Sequence, residues 1–469
     1  MIKTTLFKNI VATLVCLAVI SAVFAMPVSA ATEPGTAAPS AAVRTASAGP
    51  TPTIASSTSL SPVVTETGKI SLSVDGLGTT GTGIIQVEKP EGATVRSAYM
   101  AGASLWSAAP IADGQVKIDG QNVNWDYFVH KYTYNHWADV TSLVKEKIDV
   151  APAGTIDFTL TEYNSFNIDG TVLVVIFDDP NQVDDNTIVL LFGAQSTDGD
   201  TFNLLLADPI DKSVPDMSFD MGLGISFSYQ SGSDQYSIVD VNGQRLTSAA
   251  GGEDDGESSD GELLTVGGLG DSNKNPADPD ATAYSDPRQD DELYDILPFV
   301  DDGDNTITVY TENPSDDDNI FFAYFNLKST TAIVGEGILL SPSSATATVG
   351  DSYTVTATVQ DDSGNPVESK RVNINVKSGP HAGYDYAGIT DTNGQVSFTY
   401  TGTAAGTDVI KASFIDSQEA VITSNEVNCV WEESGNNNNN NEIPEFPTIA
   451  LPIAAIIGLA FVFHSRKEE

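Results

Sequence analysis

The stretch from residue 271 to residue 280 carries side chains that bind hard cations. Five oxygen-bearing residues recur within it: Asp271, Asn273, Asn275, Asp278 and Asp280. Calcium takes about six to eight oxygen ligands, and alternate spacing lets one loop wrap around the ion. The loop is not an EF-hand, because Pro276 stands where that motif has glycine and Thr282 where it has glutamate. The sequence therefore predicts calcium as the one candidate cofactor. Solvated turns, which Asp and Asn favour, are the alternative.

The charge of the chain is strongly negative. The 469 residues include 64 acidic and 21 basic ones, for a net charge of -43. Between Asp178 and Asp318 there are 33 acidic residues and four basic ones. A surface of this sign repels phosphate, which excludes an ordinary nucleic-acid binder. Such a density of charge requires screening by bound divalent ions or by a salty environment, and the sequence does not choose between them.

Residue types that perform catalysis are sparse. His464 lies in the C-terminal tail and His381 alone in a loop, so only His130 and His136, with Asp139 nearby, could pair. Six residues along one strand separate two side chains by about 20 Å, so these histidines could meet only across a turn. Structural histidines are the default interpretation. No Gly-x-Ser-x-Gly motif is present, and we predict no catalytic residues and no enzyme.

Aromatic residues concentrate in one region. Trp106, Trp125 and Trp137 lie within 32 residues of one another, with tyrosine and phenylalanine residues between them. Such side chains could form a platform that stacks on sugar rings, but large rings more often fill a core. We favour the core.

The elements that must position these residues are strands. Runs rich in β-branched residues alternate with Asp-Gly and Asn-Gly turns, which is typical of an all-β sandwich or barrel. The predicted strands are Lys69 to Val74, Gly83 to Val87, Thr155 to Leu160, Thr171 to Phe177, Thr187 to Phe192, Asn305 to Thr311 and Ile320 to Leu327. Short helices are predicted near Val140 to Lys147 and over Asp290 to Leu297.

A cleaner alternation begins near Gly337. Tyr353 to Val359 is apolar at every second position, and Asn393-Gly394 is the signal of a two-residue hairpin. The length of about 95 residues suits one immunoglobulin-like sandwich. The Gly364-Asn365-Pro366-Val367 turn and the Ala405-Gly406-Thr407 step resemble bacterial immunoglobulin-like domains of the invasin/intimin type. That resemblance implies a spacer module without catalytic residues.

The larger preceding region contains four characteristic segments: Ala93 to Trp106, Trp137 to Val144, Asp169 to Val175 and Asp290 to Asp295. In these segments it resembles a surface-protein domain of the DUF3344 type. The resemblance implies a surface location and a β-rich fold, and it implies no chemistry.

The N-terminus has the three parts of a signal peptide. Lys3 and Lys8 precede an apolar run from Ile10 to Ala25, and cleavage by signal peptidase is predicted after Ala30. The mature chain then keeps one cysteine, Cys429, which excludes an internal disulfide. The following residues are rich in Ala, Ser, Thr and Pro and read as a disordered spacer.

The C-terminus combines a short motif, an apolar run and a basic end. Pro444, Glu445 and Phe446 precede an uncharged run to Phe463, and Arg466 and Lys467 follow. Basic residues mark the cytoplasmic end of a transmembrane helix, which places the preceding chain outside the cell. This tail resembles the PEF-CTERM sorting signal of archaeal surface proteins. The resemblance implies cutting near the motif by an archaeosortase and transfer to a membrane lipid. A plain membrane anchor is the alternative.

These patterns predict an all-β protein on the extracellular face of the membrane. It has a large β-sandwich-like domain, then an immunoglobulin-like sandwich and a C-terminal transmembrane helix. The predicted segments are 1–30 signal peptide, 31–67 spacer, 68–334 acidic domain, 335–432 immunoglobulin-like domain, 433–442 Asn-rich linker and 443–469 sorting signal. We expect a structural or adhesion protein whose partners are envelope glycans or surface-layer proteins. A surface-anchored carbohydrate-binding or glycan-hydrolysing domain is the alternative.

Overall fold

A computed structural model describes most of the chain between residues 53 and 433. The described ranges are 53–54, 59–105, 109–131, 133–196, 198–215, 217–227, 237–251, 264–273, 292–314, 319–328 and 330–433. The predicted signal peptide and sorting tail lie outside them, and so does the predicted linker after Glu433. So does Ala30, as do Pro444, Glu445 and Phe446.

Strands dominate the described residues, as predicted. Those before residue 335 are β1 (Thr53–Ile54), β2 (Ser61–Gly68), β3 (Ile70–Leu77), β4 (Thr82–Lys89), β5 (Thr94–Ser104), β6 (Val116–Ile118), β7 (Gln121–Asn122), β8 (Tyr127–His130), β9 (Tyr134–Asp139), β10 (Gly154–Glu162), β11 (Ile168–Asp178), β12 (Asn186–Phe192), β13 (Asp200–Leu206), β14 (Phe219–Ser226), β15 (Ser237–Val241), β16 (Gln244–Ala250), β17 (Leu264–Val266), β18 (Leu293–Asp295), β19 (Thr306–Glu312), β20 (Asn319–Leu327) and β21 (Ala332–Val334). The later strands are β22 (Gly337–Ser341), β23 (Ser344–Thr348), β24 (Ser352–Gln360), β25 (Arg371–Ser378), β26 (Asp385–Ile389), β27 (Gln395–Thr401), β28 (Gly406–Ile415), β29 (Val421–Thr423) and β30 (Val427–Glu432). The helices are α1 (Thr141–Val150) and two 3-10 turns, Ser165–Asn167 and Leu297–Phe299.

Four sheets of the acidic domain stack face to face. In order through the stack, sheet 1 is β4-β10-β6-β7, sheet 2 is β1-β8-β9-β5-β11-β3, sheet 3 is β17-β14-β20-β12-β2 with β18 also on β14, and sheet 4 is β16-β15-β19-β13-β21. One buried cluster joins sheets 1 and 2, including Phe158 and Val175. A second, with Val174 and Phe322, joins sheets 2 and 3, and a third joins sheets 3 and 4. The predicted single sandwich is therefore two sandwiches packed back to back.

The two inner sheets are buried on both faces, and their sequences reflect this. Every residue of β11 except Asp178 is buried, and all of β12 is buried. Strands covered on both faces read as continuous apolar runs, whereas strands with one wet face alternate. β10 alternates because its outer face meets solvent. The run of apolar residues in β11 and β12 is thus the sequence signature of the four-layer arrangement.

The immunoglobulin-like region forms a separate sandwich. Sheet 5 is β22-β24-β27, and sheet 6 is β23-β30-β28-β25-β26 with β29 on β28. Alternate residues of β24, β25 and β28 fill the single core between them. Cys429 is buried in this core and is a free thiol.

Several local predictions need correction. Asp290–Leu297 is not a helix where it is described, since Leu293–Asp295 pairs with β14 and the chain then makes the 3-10 turn. Asn393-Gly394 is a turn, but it joins β26 of sheet 6 to β27 of sheet 5 and so is not a hairpin. Residues 61–68 form β2 on β12, so the spacer does not extend over them. The helix near Val140 is confirmed as α1.

No helix within the described ranges is both long and apolar enough to cross a membrane. The predicted transmembrane helix of residues 443–469 lies outside those ranges.

Candidate functional site

A cavity of about 180 Å³ lies between sheets 2 and 3, at the edge of sheet 2 formed by β3. Its walls are Leu72, Ser73, Val74, Asp220, Gly268, Leu269, Leu293, Tyr324 and Asn326. The ring of Tyr324 lies against Gly222 of β14, where an added Cβ would be 2.1 Å from the ring. Glycine at 222 therefore lets this ring lie against the β14 backbone beside the cavity.

The segment after β17 closes one side of this cavity by backbone contact. The Tyr324 hydroxyl donates a 3.0 Å hydrogen bond to the carbonyl of Gly267. An added Cβ on Gly267 would lie 2.1 Å from the carbonyl oxygen of Glu292, and one on Gly268 would lie 2.4 Å from that of Val74. Both positions need glycine because two backbones approach too closely for any side chain.

The cavity is anionic. Asp220 pairs in register with Asn326 on one side and Asp295 on the other, and its Oδ1 accepts a 2.8 Å hydrogen bond from Asn273. Burial raises the pKa of the Asp220 carboxyl, and the Asn273 amide opposes that rise. Burial also raises the pKa of Tyr324, and the charges of Asp220 and Asp271 add to the effect. The site thus attracts cations and hydrogen-bond donors rather than anions.

Two of the five predicted calcium ligands are described at this cavity. Asn273 contacts Asp220, and Asp271 Oδ2 accepts a 2.6 Å hydrogen bond from the Gly268 amide. Asn275, Asp278 and Asp280 lie outside the described residues. Among the residues that the structure describes, no group of three or more His, Cys, Asp or Glu side chains could hold a metal ion. The calcium loop therefore stays a prediction.

The acidic turn near residue 302 shows how such residues act elsewhere in the fold. Asp304 Oδ2 accepts a 2.8 Å hydrogen bond from the Asp301 amide, and Asp302 Oδ1 accepts one of 2.9 Å from the Lys212 amide. These carboxylates cap backbone N–H groups of exposed turns.

The two histidines of the acidic domain lie on the two strands of one hairpin, and each faces an aromatic residue rather than the other histidine. His130 pairs with Tyr134 and His136 with Phe128 in the β8–β9 register. His136 is 1 % exposed, its Nε2 accepts the Ile111 amide, and its Nδ1 faces the Tyr134 carbonyl. Burial lowers its pKa to about 4, which keeps the ring neutral. Both ring nitrogens are occupied, so His136 is a structural residue.

The tryptophans fill the core, as predicted for those that are described. Trp125 and Trp137 are 6 % and 4 % exposed. Trp125 packs over Gly102, and Trp137 stacks on Tyr99 with ring centroids 5.2 Å apart. Trp106 lies outside the described residues. Two of the three residues on which a sugar platform depended are therefore unavailable to a ligand.

The immunoglobulin-like domain contains a buried polar network that the sequence did not predict. The Asp408 carboxylate is fully buried and accepts hydrogen bonds from Tyr400 Oη, Trp431 Nε1 and His381 Nδ1 at 2.9, 2.7 and 2.6 Å. The Thr403 amide donates to His381 Nε2 at 2.7 Å, which fixes the neutral Nδ1–H tautomer. The network stabilises the sandwich because each of these buried polar groups has a hydrogen-bond partner. His381 and Trp431 lie 27 and 23 positions from Asp408, so no local motif indicates it.

Comparison with known families identifies two segments of the chain. Residues 443–467 match the PEF-CTERM archaeal protein sorting domain. Residues 338–430 match the bacterial Ig-like domain, group 1. The PEF-CTERM segment implies a surface-anchored protein, and the Ig-like match coincides with sheets 5 and 6. The resemblance of the acidic domain to the DUF3344 type stays a prediction.

The solved structures similar to this chain are distant. The D0-D1 domain of intimin is 13% identical, with 52% of this chain and 90% of that one covered and a TM-score of 0.18. A CARDB domain from Pyrococcus furiosus, solved with di-metal ions, is 18% identical over 20% of this chain and 93% of that one, with a TM-score of 0.15. Domains 4 and 5 of the S-layer protein SbsC are 14% identical, with 41% of this chain and 97% of that one covered and a TM-score of 0.14. Scores this low carry no inference about function. No curated protein sequence matches.

Proposed function

We propose that this chain is a non-enzymatic structural or adhesion protein of the cell surface, in which the Ig-like domain holds the acidic domain away from the membrane. The observation that carries the proposal is the position of the two ends of the Ig-like domain. Its first strand begins beside the acidic domain, and its last strand ends at the opposite end of the sandwich, toward the PEF-CTERM segment.

Strand register supports this placement. Gly337 pairs with Gln360, so both lie at the end that contacts the acidic domain. The other end of β24, Ser352, pairs with Thr401. β30 runs parallel to β23 and finishes at Glu432, whose carbonyl accepts the Val349 amide at this distal end. The chain therefore enters the domain at one end and leaves it at the other.

The junction between the two domains is tightly packed. Ser341 Oγ donates a 2.5 Å hydrogen bond to the Ala207 carbonyl, and the Asn203 side chain donates one of 3.0 Å to the Ser363 carbonyl. An added Cβ on Gly335 would meet Pro62 at 2.9 Å. Because of these contacts, the orientation of the Ig-like domain determines the orientation of the acidic domain.

Processing completes the proposal. Signal peptidase cuts after Ala30, and an archaeosortase acts near Pro444, Glu445 and Phe446, passing the new carboxyl terminus to a membrane lipid. The described domains then lie on the extracellular face. Envelope glycans or surface-layer proteins are the partners we propose for the acidic domain.

Cleavage at the Asn-rich linker tests the arrangement. A protease site placed among residues 435–441 is cut by protease added to intact cells, and a fragment carrying both domains enters the medium. A matched site in the predicted spacer, among residues 35–50, should be cut without releasing either domain. Retention of the acidic domain on the cells after complete cleavage at the linker would contradict the proposal.

A further inference from the structure

The cavity between sheets 2 and 3 combines aliphatic walls with a polar floor. The aliphatic walls are Leu72, Val74, Leu269 and Leu293. Asp220, Tyr324 and Asn326 supply polar side chains from sheet 3. The hydroxyl of a further polar wall residue, Ser73, already accepts a 3.0 Å hydrogen bond from the Glu88 amide of sheet 1. Such a cavity suits a ligand with a hydrocarbon body and one polar head.

The polar side chains of the floor are hydrogen-bond acceptors. Asp220 Oδ1 accepts the Asn273 amide, and the described residues provide no donor to Asp220 Oδ2. Asn326 forms no side-chain hydrogen bond within the described ranges. The Tyr324 hydroxyl donates to the Gly267 carbonyl, and its oxygen can still accept a hydrogen bond. An ammonium group carries three N–H donors, one for each of these three side chains.

Size and chemistry argue against other classes of ligand. A cavity of about 150 Å³ can hold one benzene molecule, so about 180 Å³ holds roughly seven non-hydrogen atoms. A hexose is nearly twice that size. Calcium takes about six to eight oxygen ligands, more than the side chains of the floor supply. A chain of about four carbon atoms that ends in an ammonium group fits both the volume and the walls.

The charges around the cavity favour a ligand with two ammonium groups. Asp295 pairs in register with Asp220, and Asp271 accepts the amide of the wall residue Gly268. Lys328, which follows β20, is the opposing charge near Asp220. Three carboxylates against one ammonium leave these surroundings anionic even with Lys328 counted. A dication therefore complements them better than a monocation does.

We propose that this cavity binds a short aliphatic diamine such as 1,4-diaminobutane. One ammonium group donates to Asp220, Asn326 and Tyr324, and the methylene chain packs against the aliphatic walls. The second ammonium group lies at the mouth, toward Asp271 and Asp295. A lysine side chain presents the same head and stem but brings no second charge to the mouth. Binding here does not depend on how the chain is anchored, so its failure would leave the proposed function unaffected.

Calorimetric titration of the full-length chain with 1,4-diaminobutane in physiological salt tests the site. The diamine should bind about fourfold more tightly than 1,3-diaminopropane, because one more methylene group leaves water. Asp220→Asn should weaken binding at least about tenfold, because the ammonium group loses a charge-assisted hydrogen bond. Asp198→Asn removes an equal charge at an exposed position and should change the affinity less than about twofold. Equal losses in these two variants would overturn the proposal.

The opposing charge gives a test in the other direction. Lys328→Gln should tighten binding of 1,4-diaminobutane about twofold to threefold, because it removes a competing cation from the surroundings of Asp220. Weaker binding in this variant would overturn the proposal. Nα-acetyl-lysine methylamide should bind the native chain more weakly than the diamine. Tighter binding would overturn the diamine assignment in favour of a lysine side chain from a partner protein.

Nuclear Overhauser contacts locate the bound diamine on the native chain, whether or not a variant folds. The methylene protons of 1,4-diaminobutane should show contacts to methyl groups of the four aliphatic wall residues. Contacts confined to other methyl groups, or none, would overturn the proposal, because the diamine would then be held by the general negative charge of the chain alone.

Discussion

Replacing Asp75 by asparagine should stabilise the acidic domain at pH 8 and leave its stability at pH 4 nearly unchanged. Asp75 on β3 is 7 % exposed, and its Oδ2 accepts a hydrogen bond from the Gln86 amide at the free edge of β4. Burial raises the pKa of this carboxyl from 3.8 to about 7, against the opposing effect of the amides of Gln86 and Gly76. An asparagine oxygen can accept the same hydrogen bond without a charge.

The sign and the size of this change in stability follow from the pKa shift of Asp75. The folded state binds the proton more tightly than the unfolded state, so the Asp75 contribution to stability is fully present below pH 3.8 and lost as pH rises through 7. About three pKa units at 1.36 kcal/mol each correspond to roughly 4 kcal/mol. Asp75→Asn should therefore exceed the native chain in free energy of unfolding by up to about 4 kcal/mol at pH 8.

Hydrogen exchange in urea is the suitable assay, because a chain with several domains does not unfold in one step. Peptides that cover β3 and β4 report the opening of sheets 1 and 2, and peptides of sheet 6 serve as an internal control. The difference between variant and native protein should grow between pH 4 and pH 8. A variant less stable than the native chain at pH 8, or a difference independent of pH, would refute the reasoning.

Four further predictions follow from the described contacts. Gly222→Ala should lower the thermal midpoint and reduce the free energy of unfolding by about 1–3 kcal/mol, because the new Cβ meets the Tyr324 ring beside the cavity. An unchanged midpoint would show that the Tyr324 ring moves freely. Asp408→Ala should unfold the Ig-like domain first, at a cost of at least about 3 kcal/mol, because four buried donors lose their acceptor; differential calorimetry measures this. The stability that His136 confers is present above pH 6.5 and is lost as pH falls toward 4, because the ring binds a proton at higher pH in the unfolded chain than in the folded chain. In the folded protein, the NMR resonance of the His136 ring should therefore not titrate above pH 5. Calorimetric titration should detect calcium binding that Asp271→Asn weakens, whereas stabilisation by monovalent salt alone, with no response to chelator, would favour charge screening.

Residue patterns predicted the class of fold better than its layers. The alternation of β24, the β-branched runs of β11 and β12 and the aromatic run of β20 were sufficient to place strands. An apolar run such as that of β11 fits a buried strand in any sheet, so the sequence could not predict that sheets 2 and 3 pack on each other. That arrangement depends on pairings such as β2 with β12, which join residues about 120 positions apart. The Asn393-Gly394 turn was correct locally, but turn chemistry does not specify whether the chain stays in one sheet.

The candidate site was predictable only in part. The predicted calcium loop begins beside the cavity, since Asn273 contacts Asp220 and Asp271 contacts Gly268, and calcium binding there stays a prediction. No sequence pattern indicated Asp220 or Tyr324, because the cavity forms where strands from separate parts of the chain meet at the edge of a sheet. The Asp408 network had none either, since its donors come from strands and loops up to 27 residues away.

Intact-mass analysis of the protein extracted from its native membrane tests the central claim most directly. Surface anchoring through the PEF-CTERM segment predicts a chain that begins at residue 31, lacks most of residues 443–469 and carries the added mass of a lipid. A mass equal to the unprocessed 469 residues, with both ends retained, would contradict the account.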